Sequence, residues 1–429
     1  MRRKTLHVFR KVWEKAQKMH KMSVMKTFFR VLFFAAVAAT VCSSCRNNVK
    51  SGYDELDAWA EQIVAAKRAA IGYPVNQNFQ LDRFYKWYLA NNLENVGLNN
   101  VGNPFGEAGG LLGAHKLERE VIEYFAPFYD YDLDNLWGIV TNSGTDGNNH
   151  GIYFGVNYLN NLTGKMPVMY VSDEAHYSNP RIADLQNLEL RLVKSDAMGR
   201  MLPEELEKVL DPTRPCLIVY AMGSTFKGAI DDMDALNAVL DAHPEMKVYR
   251  HVDAALFGGY LVFTEHRDMV SAKKYRINSM AISGHKFFGL DDPAGFFLTT
   301  REVYDLQDNN SVAYLNGDMK MINCSRSTSS VLKFWWMIHE TGREQWERQA
   351  AAILENTAYF KEQLDKIGYP NWLNEYSNTI FFKRPSDEVC RKYMLAPNYD
   401  ERFGGALSHL VVMQHVDRTL IDEFVKDIQ

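Results

Sequence analysis

The sequence predicts an α/β fold in which helices cover both faces of a mostly parallel sheet, followed by a smaller α+β unit. Three observations lead there. Apolar runs of strand length alternate with helical stretches from about residue 137 to 300. Those runs are continuous rather than alternating, as in strands buried on both faces. Beyond about residue 330 the rhythm changes to one long helical pattern followed by isolated strands. The composition agrees: of 429 residues, 46% are hydrophobic and 24% charged, the balance of a globular protein. The length exceeds what one compact domain usually needs. We read it as a leader over 1–50, an N-terminal helical segment over 51–115, a large α/β domain over 116–325 and a small C-terminal α+β domain over 326–429. A formal charge of −5 gives no overall basic surface to recommend nucleic acid as a partner. The five cysteines (Cys42, Cys45, Cys216, Cys324 and Cys390) form neither a disulfide framework nor a paired CxxC zinc site.

The leader stands apart. Residues 1–30 are basic and nearly free of acids, and an apolar run from Val31 to Cys42 leads to Ser43, Ser44 and Cys45. A spanning helix needs about 20 apolar residues, more than this run supplies. A charged stretch, a short apolar stretch and small residues are the parts of a secretory signal. The cysteine after Ser44 also resembles a bacterial lipoprotein cleavage site, with Cys45 the lipidated residue and Met25 a tidier start than Met1. This reading exports the protein and anchors it by lipid at a bacterial membrane. A buried apolar N-terminal helix, in a protein that stays in the cytoplasm, is the plainer alternative.

The remaining elements follow in order. Helical patterns cover about 53–70, 79–92 and 117–129. WGIV at 137–140 reads as a buried strand, and TNSGTDGN as a turn opening a helix over about 146–161. Strands at 167–172 and 188–194 precede a helix over 202–210, where Pro203 suits a first turn. A strand at 216–223 and a helix over about 231–242 come next. VYRHVDAAL, SMAISGH and GFFLTT supply further strands between 248 and 300. The long helical pattern from SSVLKF to KEQL then leads to TIFFKRP, LSHLVVMQHV and a closing helix.

Ligands of such sheets bind beyond the carboxyl ends of the strands, so four strand-end segments matter most. Asn142-Ser143-Gly144-Thr145 runs from a strand into a helix. There free backbone N–H groups and the helix dipole favour a phosphate, with Ser143 and Thr145 as side-chain donors; a ligand-free capped turn is the plainer reading. His176 lies just past a strand, where a flat ring could stack on a flat cofactor, although a hydrogen-bonded structural histidine also fits. Asp253 ends an apolar strand and is costly to bury without a cation. A protonated pyridine nitrogen would serve, and Ala254 and Ala255 leave room for a planar ring; the competing reading pairs His251 and Asp253 as metal ligands. Lys286, in Ser283-Gly284-His285-Lys286-Phe287-Phe288, is either a surface-loop lysine or a desolvated nucleophile able to form a Schiff base. A phosphate cradle, a stacking histidine, a buried aspartate and an imine-forming lysine, in that order, are what pyridoxal 5'-phosphate requires.

Through these residues the chain resembles the group II pyridoxal-phosphate-dependent amino-acid decarboxylases, the bacterial histidine decarboxylases above all. NSGTDGN is similar to the family's SGGTEGN segment, DEAHYS to its THYS-type segment, GSTFKGAIDD to its GTT-containing segment, HVDAAL to its DAA segment and SGHK to its lysine motif. The similarity spans about 52–428. It implies the fold of the pyridoxal-phosphate-dependent transferases (fold type I), with Lys286 bound covalently to the cofactor and Asp253 on the pyridine nitrogen. It also implies His176 over the ring, in contact with substrate, and Ala255 on the ring's other face. Ser143, Gly144, Thr145, Ser283 and His285 would surround the phosphate, and Ser224 and Thr225 would lie near Asp253 or the ring hydroxyl. The implied reaction converts a small-molecule amino acid to its amine and carbon dioxide. L-Histidine is the first choice of substrate and serine, as in the plant serine decarboxylases, the second; a catalytically silent binding protein of the same fold is the reading from another class. A homodimer and no metal are expected. The sequence departs from the pattern where the second glycine of the phosphate segment is missing, Ser143-Gly144 being preceded by Asn142, where Asp146 replaces a glutamate, and where Cys324-Ser325-Arg326-Ser327-Thr328 replaces a GSRNG-like run near the expected dimer-contact loop.

Overall fold

The computed structural model describes residues 52–106, 112–308, 310–312 and 317–429; the leader, with Cys42, Cys45 and the apolar run before them, lies outside these. The chain divides into two compact units, Met1–Lys67 and Arg68–Gln429. In the first, residues 52–66 form a helix. All that follows concerns the second.

Its centre is a seven-stranded sheet made of β1 (Leu136–Thr141), β2 (Val168–Ser172), β3 (Leu190–Val193), β4 (Cys216–Ala221), β5 (Val248–Asp253), β6 (Ser279–Ser283) and β7 (Gly295–Thr300). The order is β1-β7-β6-β5-β4-β2-β3. Strands β2 to β6 are parallel to one another, and only β7 runs against its neighbours. The carboxyl ends of β1, β2, β4, β5 and β6 therefore share one edge. Both faces are buried because successive side chains point to opposite sides. On β4, Leu217 and Val219 join one core while Ile218 and Tyr220 join the other, and Phe297 and Phe296 of β7 divide the same way.

The helices place the site. Helix α1 (Asp82–Ala90) is shorter than its pattern, and α2 (His115–Phe125) buries Val121, Ile122 and Phe125 against the sheet. Helix α3 (Gly144–Thr163) starts earlier than the turn-rich sequence indicated, because Ser143 caps it: its Oγ accepts the Asp146 N–H at 3.0 Å. The Asp146 carboxylate reaches back to the Asn142 N–H at 2.8 Å. One stripe of α3 is glycine, and a Cβ at Gly151 would lie 2.2 Å from the His251 ring and one at Gly147 2.8 Å from Ala281. Without side chains there, the helix presses onto β5 and β6 and brings its N-terminus to their ends. Helix α4 (Ser178–Leu185) follows β2.

The long helical pattern is two helices, α5 (Thr328–Glu340) and α6 (Gly342–Lys366). Gly342, at φ +69°, takes the left-handed conformation that breaks them. A four-stranded antiparallel sheet closes the chain, with β8 (Asn371–Leu373), β9 (Thr379–Lys383), β10 (Ala396–Asp400) and β11 (Gly405–Val411) in the order β8-β9-β11-β10. The edge strands β8 and β10 escape a reading based on apolar runs, since neither buries a full face. The inner strands pack Ile380, Phe382 and Leu410 against Phe360 and Phe424.

Candidate active site

The residues that sequence assigned to the cofactor line one cavity of about 230 Å³: Ser143, Gly144, Thr145, His176, Ser224, Thr225, Asp253, Ala255, Ser283, His285 and Lys286. They come together because β1, β2, β4, β5 and β6 end on the same edge, as in other open α/β sheets. Asn142, His251 and Ala254, also named at the strand ends, lie outside its lining.

The cradle is built by the β1–α3 junction. The Ser143 hydroxyl and the Asp146 carboxylate cap the helix, and the Gly147 N–H returns to the Ser143 carbonyl at 3.1 Å. The N–H groups of Gly144 and Thr145 make no bond among the described residues. They stand at the positive end of a 20-residue helix. A Cβ at Gly144 would sit 2.2 Å from Ser283 Oγ and 3.1 Å from Ala255 Cβ, so only glycine lets this backbone approach the end of β6. Thr145 is exposed, Ser283 is buried, and neither hydroxyl has a partner among the described residues. The β6–β7 turn sets His285, whose Nδ1 lies 3.1 Å from the Ala294 carbonyl oxygen.

Lys286 projects into the cavity from the turn after β6, between His285 and the buried Phe287. Its amine forms no hydrogen bond or ion pair among the described residues. Burial lowers its pKa from the ordinary lysine value, with the Asp253 carboxylate opposing, and the amine is thereby biased toward its neutral, nucleophilic form. Asp253, 9% exposed, ends β5. It accepts from Asn179 Nδ2 at 3.3 Å and from the Ala255 N–H at 3.3 Å, and it has no cationic partner among the described residues. A buried carboxylate so arranged favours a cation placed before it. Burial also lowers the His176 pKa; Asp253 opposes and Lys286 adds. The Ser178 N–H points to His176 Nδ1 at 3.3 Å and Ser178 Oγ lies 2.6 Å from it. These contacts assign the proton of the neutral ring to Nε2.

Ser224 is partly committed to its own loop. Its Oγ accepts the Ala229 N–H at 3.0 Å, in a turn that Gly223 enters at φ +96°. Thr225 beside it is exposed.

Sequence reading missed several residues. Asn179 holds Asp253. Asn148 lines the cavity, its Oδ1 fixed by the His251 Nε2 at 3.0 Å, while His251 Nδ1 meets Ser279 Oγ at 2.8 Å. His251 thus bonds to protein groups through both nitrogens, and among the described residues no group of three potential ligands could hold a metal ion. Pro74, Tyr177, Ala221, Gly223, Leu256 and Pro293 complete the wall. Tyr177 lies within the DEAHYS segment and could have been found; Pro74 and Pro293 carried no signal.

The donor set fits pyridoxal 5'-phosphate: a glycine-tight helix N-terminus for the phosphate, an unpaired buried carboxylate for the ring nitrogen and an unpartnered, desolvated amine for the aldehyde. Comparison with known proteins agrees. A model of the pyridoxal-dependent decarboxylase conserved domain matches residues 157–377. The histidine decarboxylase of Solanum lycopersicum is 30% identical over 390 residues, covering 88% of this chain and 90% of that one. That of Morganella morganii is 30% identical, with 87% and 96% covered. Serine decarboxylase 1 of Oryza sativa subsp. japonica is also 30% identical, with 86% and 74% covered. Among solved structures, L-methionine decarboxylase from Streptomyces sp. 590 superposes with a TM-score of 0.74 at 20% identity, over 87% of this chain and 93% of that one. Lactobacillus brevis glutamate decarboxylase gives 0.70 at 15%, over 86% and 90%; these two bear on the fold alone. The chain belongs to the pyridoxal-dependent decarboxylases, carboxy-lyases that act on amino acids with pyridoxal 5'-phosphate as cofactor.

Proposed function

We propose that the substrate is L-histidine, converted to histamine and carbon dioxide, and that Lys286, Asp253 and His176 carry the reaction. The observation that bears most weight is the Lys286 amine, desolvated and without a hydrogen bond or ion pair among the described residues, in one cavity with a buried carboxylate that lacks an ion-pair partner. When bound, the cofactor supplies an electrophilic aldehyde and a ring that accepts the electron pair left as carbon dioxide departs. Lys286 contributes the amine that holds the aldehyde and yields to the substrate amine. Asp253 keeps a proton on the ring nitrogen, and Asn179 keeps Asp253 in line. His176, neutral with its proton on Nε2, restrains the ring and offers a donor to the substrate carboxylate. Gly144, Thr145, Ser143, Ser283 and His285 hold the phosphate, and Ser224 and Thr225 close the side near Asp253. The bond between Cα and the carboxyl carbon breaks, a proton is added at Cα, and the amine leaves.

Histidine rests on the relatives' names and on the uncharged wall of Pro74, Tyr177, Leu256 and Pro293. Serine, giving ethanolamine, is the second reading, because a serine decarboxylase is equally similar. Purified enzyme incubated with each amino acid, followed by identification of the amine released, decides between them. Histamine is the expected product; ethanolamine alone would transfer the assignment to serine, and release of neither amine would defeat both.

Two further proposals concern surroundings. The enzyme acts as a homodimer, for which exposed Tyr85, Trp87 and Leu89 offer apolar surface; light scattering of the purified protein tests this. The leader directs export and lipid attachment at Cys45, and the mass of the mature N-terminus tests that.

A further inference from the structure

The GSTFKGAIDD segment places Ser224 and Thr225 on the cavity, yet its Lys227 has no part in the site described above. Its side chain is fully buried. The ammonium meets two carboxylates from separate parts of the fold. Glu174 lies two residues before His176 on the β2–α4 loop, and Asp400 ends β10, with Nζ–Oδ2 at 2.8 Å. Arg402 completes the cluster, its Nη2 lying 3.3 Å from Glu174 Oε1 and its Nε 3.0 Å from Asp400 Oδ1. The hydrogen bond from Arg402 lowers the Asp400 pKa below the usual carboxylate range; burial opposes and Lys227 adds. Two cations thus face two anions, and Asp173 also acts on Arg402.

The C-terminal sheet grips the same segment twice more. His409 of β11 meets the Phe226 carbonyl at 2.8 Å and stacks on its ring at 4.7 Å, while Asn374 Nδ2 donates to the Lys227 carbonyl at 2.9 Å. The two loops that carry His176 and Ser224–Thr225 to the cavity are tied to each other, and to the C-terminal sheet, at one buried ammonium.

We propose that Lys227 is a positioning residue: through Glu174 it sets where His176 stands over the cofactor ring, and through Asp400 it makes that placement depend on the C-terminal sheet. The proposal rests on the role given to His176 above. The test compares the holoenzymes and cofactor-depleted forms of Lys227→Met, Asp400→Asn, His176→Ala and the double variant Lys227→Met/His176→Ala. It reads pyridoxal 5'-phosphate affinity by equilibrium dialysis, and kcat and KM with histidine or, if that is the substrate, serine. Lys227→Met should weaken cofactor binding and lower kcat about a hundredfold, as misplacement of a positioned group by about 1 Å does, with less change in KM. Asp400→Asn should give the same pattern more weakly, and Lys227→Arg should recover part of the loss. Once His176 is gone, loss of Lys227 should add almost nothing, because the two act as one unit. Full additivity, or a Lys227→Met enzyme that is only less heat-stable, would overturn the proposal. If Lys227→Met does not fold, Asp400→Asn combined with His176→Ala reads the same coupling. A His176→Ala enzyme with unchanged cofactor affinity and kcat would instead overturn the role of His176 itself.

Discussion

Lys286 and Arg326 are both basic side chains drawn inside the same unit, and their surroundings differ completely. Arg326 lies 1% exposed against a Glu118 that is fully buried. Its Nη2 donates to both carboxylate oxygens, at 3.0 and 2.9 Å, while Asn100 Nδ2 and the Val140 N–H satisfy the rest of Glu118. Only Nη1 of the guanidinium lacks a partner. Lys286 has none. A buried charge whose partners are all protein groups braces the fold, here by fixing α2 and the end of β1. A desolvated amine left open keeps its interaction energy for something that arrives later. The segment that resemblance put beside a dimer contact turns its arginine inward, into this closed cluster.

If that contrast is sound, Lys286→Ala should abolish turnover, by a factor on the order of a thousand or more, while hardly lowering the stability of the cofactor-free protein. Borohydride reduction of the wild-type holoenzyme followed by peptide mapping should label Lys286 and nothing else; a label on another lysine would break the comparison at its root. Asp253→Ala comes next, with kcat lowered about a hundred- to thousandfold as for other removed electrostatic partners. Lys286 should still be labelled in that variant, since the cradle at Gly144 and Thr145 is untouched. Near wild-type turnover there would remove Asp253 from the reaction.

Arg326→Met should do the opposite. Removing one partner of a buried pair costs about 3–5 kcal/mol of stability, read from urea unfolding of the cofactor-free protein. Adding Glu118→Met should recover much of that loss, because no charge is then left unpaired. Loss of turnover without loss of stability would place Arg326 with the site instead.

The open groups were legible in the sequence and the closed ones were not. Each strand-end motif is local: Lys286 follows β6 within three residues, and the cradle is one turn between β1 and α3. Their partners, where they have any, lie far away in the chain. Asn179 reaches Asp253 across 74 residues, Asn148 reaches His251 across 103, and Lys227 reaches Asp400 across 173. No spacing rule connects such pairs, which follow only from how strands order themselves in the sheet. Gly342 shows the same limit in the backbone, since an apolar periodicity continues through a residue whose φ breaks the helix.

His251 stands between the two classes and gives the smallest, most discriminating effect. It is two residues from Asp253 on β5, yet it is fully buried with both nitrogens bonded, to Ser279 and Asn148. Burial lowers its pKa from 6.5 to about 4, with Asp253 opposing. Because the folded value is the lower one, the unfolded chain takes up a proton first as the pH falls below 6.5. Stability is therefore undiminished above that pH and declines down to about pH 4, by about 3 kcal/mol from this group alone. His415 is lowered to about 4 as well, and burial lowers His176, His285 and His409 in the same direction, so the wild-type slope contains all of them. Urea unfolding of cofactor-free wild type and His251→Gln at pH 7.5 and 5.0 isolates the first: the variant should be less stable at pH 7.5 but lose less on acidification. Equal losses would mean that His251 titrates as an ordinary exposed histidine, and that the floor beneath Asp253 is wetter than its packing against Gly151 allows.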